Sequence, residues 1–258
     1  MSESILAADE TKAEIRLTAQ SPWPGLAAYD ENASNFFFGR KEEAAELARM
    51  IRQAPLTALY GKSGLGKTSL LQAGLYPLLR AEHFFPVHLR LDFALSALLP
   101  PLEQAMQKLQ EALTTANAEF PAPAKDESLW RYLHRRDLEI WSQDNYLLTP
   151  VLVFDQFEEI FSQGELMPAQ LQLTLNALDD LIENRIPTEL TLAETSRRVL
   201  SDLDLQAQRY RVVLSFREDF LPEIEGWQRQ VPSLLRNRLR LLPMSRARAI
   251  EAIMAAGA

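Results

Sequence analysis

The chain has 258 residues, 47% of them apolar, and 27 Lys and Arg stand against 35 Asp and Glu for a formal net charge of −8. Such an apolar share supplies a full core and excludes global disorder, while the acidic balance argues against generic nucleic-acid binding through a basic surface. Cysteine is absent, which excludes disulfides and thiolate metal sites; residues 1–20 carry no signal-peptide core and no apolar run reaches membrane-spanning length, so a cytoplasmic protein that does not engage a membrane is expected.

Residues 1–20 read as a flexible N-terminal arm and residues 21–258 as one domain. Pro22-Trp23-Pro24-Gly25-Leu26 breaks any helix and precedes Phe36-Phe37-Phe38-Gly39-Arg40. From Lys41 to Ile51 the residues Ala44, Ala45, Leu47, Ala48 and Ile51 recur at helical spacing. The apolar run 55–60 predicts the first strand. It leads into Gly61-Lys62-Ser63-Gly64-Leu65-Gly66-Lys67-Thr68, a complete G-x-x-x-x-G-K-[ST] phosphate loop, and a helix starting at about Lys67. Strand, glycine-rich turn and helix is the setting this motif requires. Four of the nine glycines (Gly61, Gly64, Gly66, Gly74) fall within fourteen residues, which argues for a built loop over a chance match.

A second strand is predicted over Phe85 to Phe93, with Val87, Leu89 and Leu91 on one face. A helix runs from Pro100-Pro101 to about Leu113, a surface loop covers 114–127, and a further helix carries Leu129, Leu133, Leu138 and Trp141. Pro150 to Phe154 is a continuous apolar run, as in strands buried on both faces, and ends in Asp155-Gln156-Phe157-Glu158-Glu159. Helices are expected through most of 168–208. Arg211 to Phe216 is another buried strand, ending at Arg217-Glu218-Asp219. Leu239 to Leu242 is a short fifth strand before Pro243 and a helix from Arg246. Between Arg209 and Arg248 nine arginines face four acids, a local +5 that leaves −13 elsewhere.

Strands separated by helices predict a parallel sheet with helices on both faces, whose ligands sit beyond the carboxyl ends of the strands. Three strand ends carry polar groups, as one shared site would require. Gly61, Ser63, Gly64, Leu65, Gly66, Lys67, Thr68 and Ser69 form the candidate phosphate cradle, in which main-chain N–H groups converge on one anion and Lys67 reaches the β- and γ-phosphates. Thr68 and Asp155 are the candidate Mg²⁺ ligands; Asp155 reads alternatively as a helix N-cap. Glu158, or else Glu159, is the candidate for orienting water, the alternative being acids of a first helical turn. Arg217 is the candidate sensor of the γ-phosphate, the alternative being an ion pair with Glu218 or Asp219. Phe38, Gly39 and Arg40 would lie beside base and phosphates, or else form a hydrophobic staple. His83, His88 and His134 lack metal-ligand spacing and read as structural or surface residues. The Arg-rich stretch 229–248 reads as a solvated helix face or as an inter-subunit surface.

With these motifs in place, the sequence resembles the STAND class of signal-transducing P-loop ATPases and is similar to its novel STAND NTPase 1 branch. The resemblance rests on the entry segment through Arg40, the phosphate loop extended to Gly74 and Arg80, Val151 to Phe161, Leu214 to Leu221, and Leu241-Leu242-Pro243-Met244. It implies a three-layer α/β P-loop fold with a parallel five-stranded sheet in order 5-1-4-3-2. It also implies ATP or ADP and Mg²⁺ as cofactors, Pro243 against adenine, and slow ATP hydrolysis coupled to self-association. More chain is implied too: a winged helix, sensor repeats and an effector answering a protein stimulus, often in bacterial defence. Many related ATPases place Glu directly after the metal-binding Asp, where this chain has Gln156; Lys62 replaces a frequent Pro. Two other readings follow from particular residues. Gln156 motivates a nucleotide-locked scaffold with negligible turnover. The Arg-rich end and the Phe-Gly-Arg entry motivate a DNA-associated AAA+ loader similar to origin-recognition ATPases.

Overall fold

Five parallel strands carry the fold: β1 (Leu56–Gly61), β2 (Phe84–Leu89), β3 (Thr149–Phe154), β4 (Arg211–Arg217) and β5 (Arg238–Arg240), in spatial order β2-β3-β4-β1-β5. This is the expected 5-1-4-3-2 order read from the opposite edge. The computed structural model describes residues 17–18, 21–92, 99–164, 167–192 and 200–256. The predicted arm, residues 1–20, lies outside the described residues except for Leu17 and Thr18.

Alternation along each buried strand feeds two separate cores. On one face Leu56, Ala58, Leu152, Phe154, Val212 and Leu214 pack with helices α3 (Pro101–Thr115), α4 (Leu129–Leu133) and α6 (Pro168–Ile182) through Leu109, Tyr132 and Leu178. On the other, Leu59, Val151, Val153 and Val213 pack with α1 (Lys41–Gln53) and with α2, the helix after the phosphate loop, through Leu47, Ile51, Leu70 and Leu75. Helix α2 runs through Lys67–Ser69, a π-helical stretch Leu70–Leu75, and Tyr76–Arg80. Further α-helices among the described residues include α5 (Glu159–Gly164), α7 (Thr188–Leu192), α8 (Leu221–Trp227) and α9 (Arg246–Ala256). Among the described residues no helix is long and apolar enough to cross a membrane.

Several expected elements end early, each for a visible reason. Strand β2 stops at Leu89, and the Gln104 side chain binds both the amide and the carbonyl of Asp92, at 2.8 and 2.7 Å, in place of a neighbouring strand; the expected end at Phe93 lies outside the described residues. The helix expected to carry Leu129 through Trp141 ends at Leu133. The His134 carbonyl instead accepts from the Asp204 amide at 2.7 Å, and Trp141 bridges to Glu119 and Leu147. Helix does not continue through 202–208, where Leu203 bridges to Arg135. The Arg-rich stretch is no single helix face: Arg238 and Arg240 lie on β5, and only Arg246 and Arg248 lie on α9.

Candidate functional site

Parallel strands bring their carboxyl ends to one edge, and register fixes what meets there. Gly61 at the end of β1 pairs with Arg217 at the end of β4, and Phe154, the last residue of β3, pairs with Leu214. The phosphate loop, Asp155 and Arg217 therefore share one rim, as the sequence pattern required.

The loop's curl is set by Gly64 and Gly66, at φ +76° and +84°, with nothing within 4 Å of where a Cβ would stand. That region is open to glycine at little cost, and it turns Gly66 into the start of α2. The ammonium of Lys67 donates to the carbonyls of Gly61 and Lys62, at 3.0 and 3.1 Å. Burial pulls the Lys67 ammonium below its ordinary pKa, against the opposing pull of Glu158 and Asp155.

The Thr68 hydroxyl donates to Asp155 Oδ2 at 2.7 Å. Asp155 is only 4% exposed, and its Oδ1 has no hydrogen-bond partner among the described residues. A buried carboxylate oxygen without a donor is costly unless something cationic or hydrated completes it. The pair of oxygens thus fits a divalent cation held through Thr68 and Asp155. Asp155 is not the N-cap of α5, which starts four residues later at Glu159.

The two candidate glutamates separate. Glu158, 8% exposed, accepts from the Arg217 amide at 3.2 Å and lies close enough to Lys67 to act on its charge; burial raises its pKa. Glu159 points elsewhere, onto Arg90 at 2.6 Å. The Arg217 guanidinium pairs with Asp219 and lies over the Phe220 ring, and its Nε is buried without a partner among the described residues.

The entry segment reaches the loop from the side. Arg40, 4% exposed, lies 3.5 Å from the Leu65 carbonyl and binds Glu43 at 2.9 Å, and Arg248 of α9 binds the same carboxylate oxygen at 3.0 Å. Gly39 packs directly on α9, where a Cβ would stand 3.1 Å from both Ala252 and the Arg248 carbonyl. Phe38 is half-buried and Pro243 exposed. Ser69 is buried, and its hydroxyl accepts from the Tyr29 amide at 3.1 Å, so that side chain ties the entry segment to α2.

A family model described as Novel STAND NTPase 1 matches residues 22–257. The chain belongs to that family.

The Novel STAND NTPase 1 chain is an NTPase domain of P-loop fold, with the nucleotide-binding character this family implies. Among solved structures it is similar to Cdc6p from Pyrobaculum aerophilum, at 14% identity and a TM-score of 0.47, covering 84% of this chain and 49% of that one. It is also similar to a Walker-type ATPase of Pyrococcus abyssi, at 13% identity and a TM-score of 0.46, covering 88% of this chain and 59% of that one. The chain thus spans about half of the first of these proteins and about three-fifths of the second. A search of curated proteins finds no relative.

Sequence reasoning missed one group of this NTPase domain. His88, which reads as a structural or surface residue alongside His83 and His134, lies with its Nε2 3.9 Å from Asp155 Oδ2. The other two fill the ordinary roles: His83 lies at the surface stacked on the exposed Tyr146, and His134 is buried against the Trp130 carbonyl and Asn184. The available signal was the pairing of β2 with β3, which sets His88 opposite Val153, two residues before Asp155.

Proposed function

We propose that this chain is the ATP-driven switch of a STAND-type signalling protein. It binds ATP or ADP with Mg²⁺, hydrolyses ATP slowly, and uses the bound nucleotide to govern self-association. The observation that carries the reading is the Thr68 hydroxyl against Asp155 Oδ2 at 2.7 Å, beside an unpartnered Oδ1 and a glycine-curled loop.

In this reading the amides of residues 63–68 receive the phosphates, and Lys67 exchanges the Gly61 and Lys62 carbonyls for phosphate oxygens. Thr68 and Asp155 hold Mg²⁺, which when bound neutralises charge on the β- and γ-phosphates. Glu158 orients the attacking water, its position set by the Arg217 amide. Arg217 leaves Asp219 to sense the γ-phosphate. Phe38, Gly39, Arg40 and Pro243 border the nucleotide, and Arg40 links the loop at Leu65 to α9 through Glu43. Membership of the family supports the wider role, in which a cytoplasmic protein couples a stimulus to an effector, as in bacterial defence.

A nucleotide-locked scaffold is the second reading, and a specific observation favours it. Gln156 occupies the place after the metal-binding Asp, in a left-handed turn at φ +54°, while Glu158 and Glu159 are each engaged by another group. Calorimetry with ATP and ADP, with and without EDTA, tests binding, and phosphate release tests turnover. Tight Mg²⁺-dependent binding is expected; no binding of either nucleotide overturns both readings, and binding without phosphate release selects the scaffold.

A further inference from the structure

The Asp155 carboxylate has a second neighbour near the oxygen that Thr68 binds. His88 comes off β2, the edge strand beside β3, and its Nε2 lies 3.9 Å from Asp155 Oδ2. Its other nitrogen, Nδ1, is 3.1 Å from the hydroxyl of Tyr76 on α2. Tyr76 is buried, 4% exposed, and His88 is the one hydrogen-bond partner of its hydroxyl among the described residues. A buried phenol with a single partner satisfies its O–H only by donating. Nδ1 must then accept, and in the neutral ring the proton resides on Nε2, the nitrogen facing Asp155. The Gln72 amide lies 3.5 and 3.4 Å from Nδ1 and Nε2, spread over both nitrogens and too far from either to choose the tautomer against the closer phenol.

Resting on the reading that Asp155 and Thr68 hold Mg²⁺, we infer that Tyr76 and His88 are positioning residues for the Asp155 carboxylate. Tyr76 locks the His88 tautomer, and the Nε2–H of His88, 3.9 Å from Oδ2 and so not yet a hydrogen bond in the metal-free chain, closes on Asp155 when the site is loaded and fixes the face that the carboxylate presents to the cation. Such groups behind a ligand set its orientation, and losing one typically costs ~10- to 100-fold in metal affinity. The π-helical stretch contributes: Gln72 lies in it, Tyr76 directly follows it with its amide on the Leu71 carbonyl, and both side chains reach His88. These side chains also line a cleft of about 560 Å³ between α2 and α3, bordered by Lys108 and Glu111, onto which His88 is partly exposed while Tyr76 stays buried.

Two measurements on the whole chain test the proposal. The first compares ADP affinity with excess Mg²⁺ and with EDTA, by calorimetry, in wild type, His88→Phe, His88→Gln, Tyr76→Phe and Asp155→Ala. The expected result is a roughly tenfold loss of the Mg²⁺-dependent gain in His88→Phe, a smaller loss in Tyr76→Phe, and recovery in His88→Gln, whose amide restores a donor. A full Mg²⁺ gain in His88→Phe overturns the proposal. A wild type with no Mg²⁺ gain at all, or an Asp155→Ala chain that retains it, overturns the metal reading beneath instead. The second needs no variant to fold: ring ¹⁵N shifts of His88 in the metal-free protein should show a bare Nδ1 and a protonated Nε2, and the opposite tautomer overturns the proposal.

Discussion

The Lys67 ammonium donates to the carbonyl of Gly61 at 3.0 Å, so the cation of the cradle is held by the main chain that it follows. The contact is internal to the loop and desolvates the ammonium, which burial already disfavours. Removing the amine therefore costs the fold little and the nucleotide much. Lys67→Ala is expected to melt within a few degrees of wild type while losing more than ~100-fold in ATP affinity, two charge-assisted contacts being worth ~3 kcal/mol or more. Paired calorimetry and thermal melts check this, and undiminished ATP affinity would contradict it.

Glu158 and Glu159 are adjacent in sequence but differ in what holds them. Glu158 accepts from Arg217 on the strand that faces the phosphate loop, and Glu159 is spent on Arg90. Glu158→Gln should bind ATP at wild-type affinity and release phosphate ~100-fold more slowly, the usual contribution of a positioned base. Glu159→Gln should change turnover less than about threefold, since its carboxylate is engaged away from the loop. Single-turnover phosphate release on both variants decides it, and the reverse ranking would move the assignment to Glu159.

How much of this was legible beforehand depends on whether a feature is local. The phosphate loop was, because eight consecutive residues dictate its shape. The sheet order followed from the resemblance, the strand at 150–154 followed from an unbroken apolar run that only a doubly covered sheet can bury, and the strand at 211–216 followed from a run broken only by Arg211 and Ser215. Asp155 and Arg217 were legible as strand ends. What escaped depends on contacts remote in sequence: Gln104 binding Asp92 beyond β2, Asp204 closing the chain after α4 at His134, Arg90 claiming Glu159. His88 escaped for the same reason. A lone histidine on a strand carries no spacing signal, and its place beside Asp155 exists only once β2 and β3 are paired.

Gly61 ends β1 beneath the last strand, where a Cβ would stand 2.6 Å from the main-chain carbonyl of Leu241. Main chain cannot rotate away as a side chain can. Strand β5 has three residues and pairs only with β1 among the described residues, so it is the element that must yield. Gly61→Ala is expected to cost about 1–3 kcal/mol and to displace the turn carrying Pro243, by the logic of overpacking a filled site. Urea unfolding should show a lower midpoint at an unchanged slope, and hydrogen exchange should rise first at Leu241, whose amide binds the Tyr60 carbonyl at 2.7 Å. A midpoint equal to wild type would show that β5 gives way at no cost.

Asp180 lies in the last turn of α6, where a negative charge meets the negative end of the helix. Burial, with Asp179 and Glu189 nearby, raises its pKa from 3.8 to about 6, and Arg185 offsets this only in part. A carboxyl that holds its proton more tightly when folded than when unfolded stabilises the fold in its neutral form. That stability is complete below the unfolded pKa of 3.8 and is lost as pH rises through about 6, so at neutral pH the ionised side chain is a net burden. In a sealed site a rise of this size would correspond to ~3 kcal/mol, but this side chain is partly solvated and screening brings the expectation to ~1 kcal/mol. Asp180→Asn should therefore melt ~2 °C above wild type at neutral pH. The advantage should vanish by about pH 4, where wild-type Asp180 regains its proton. Thermal melts of both chains across that range check the sign; an advantage that is constant with pH would assign the gain to helix propensity instead of charge.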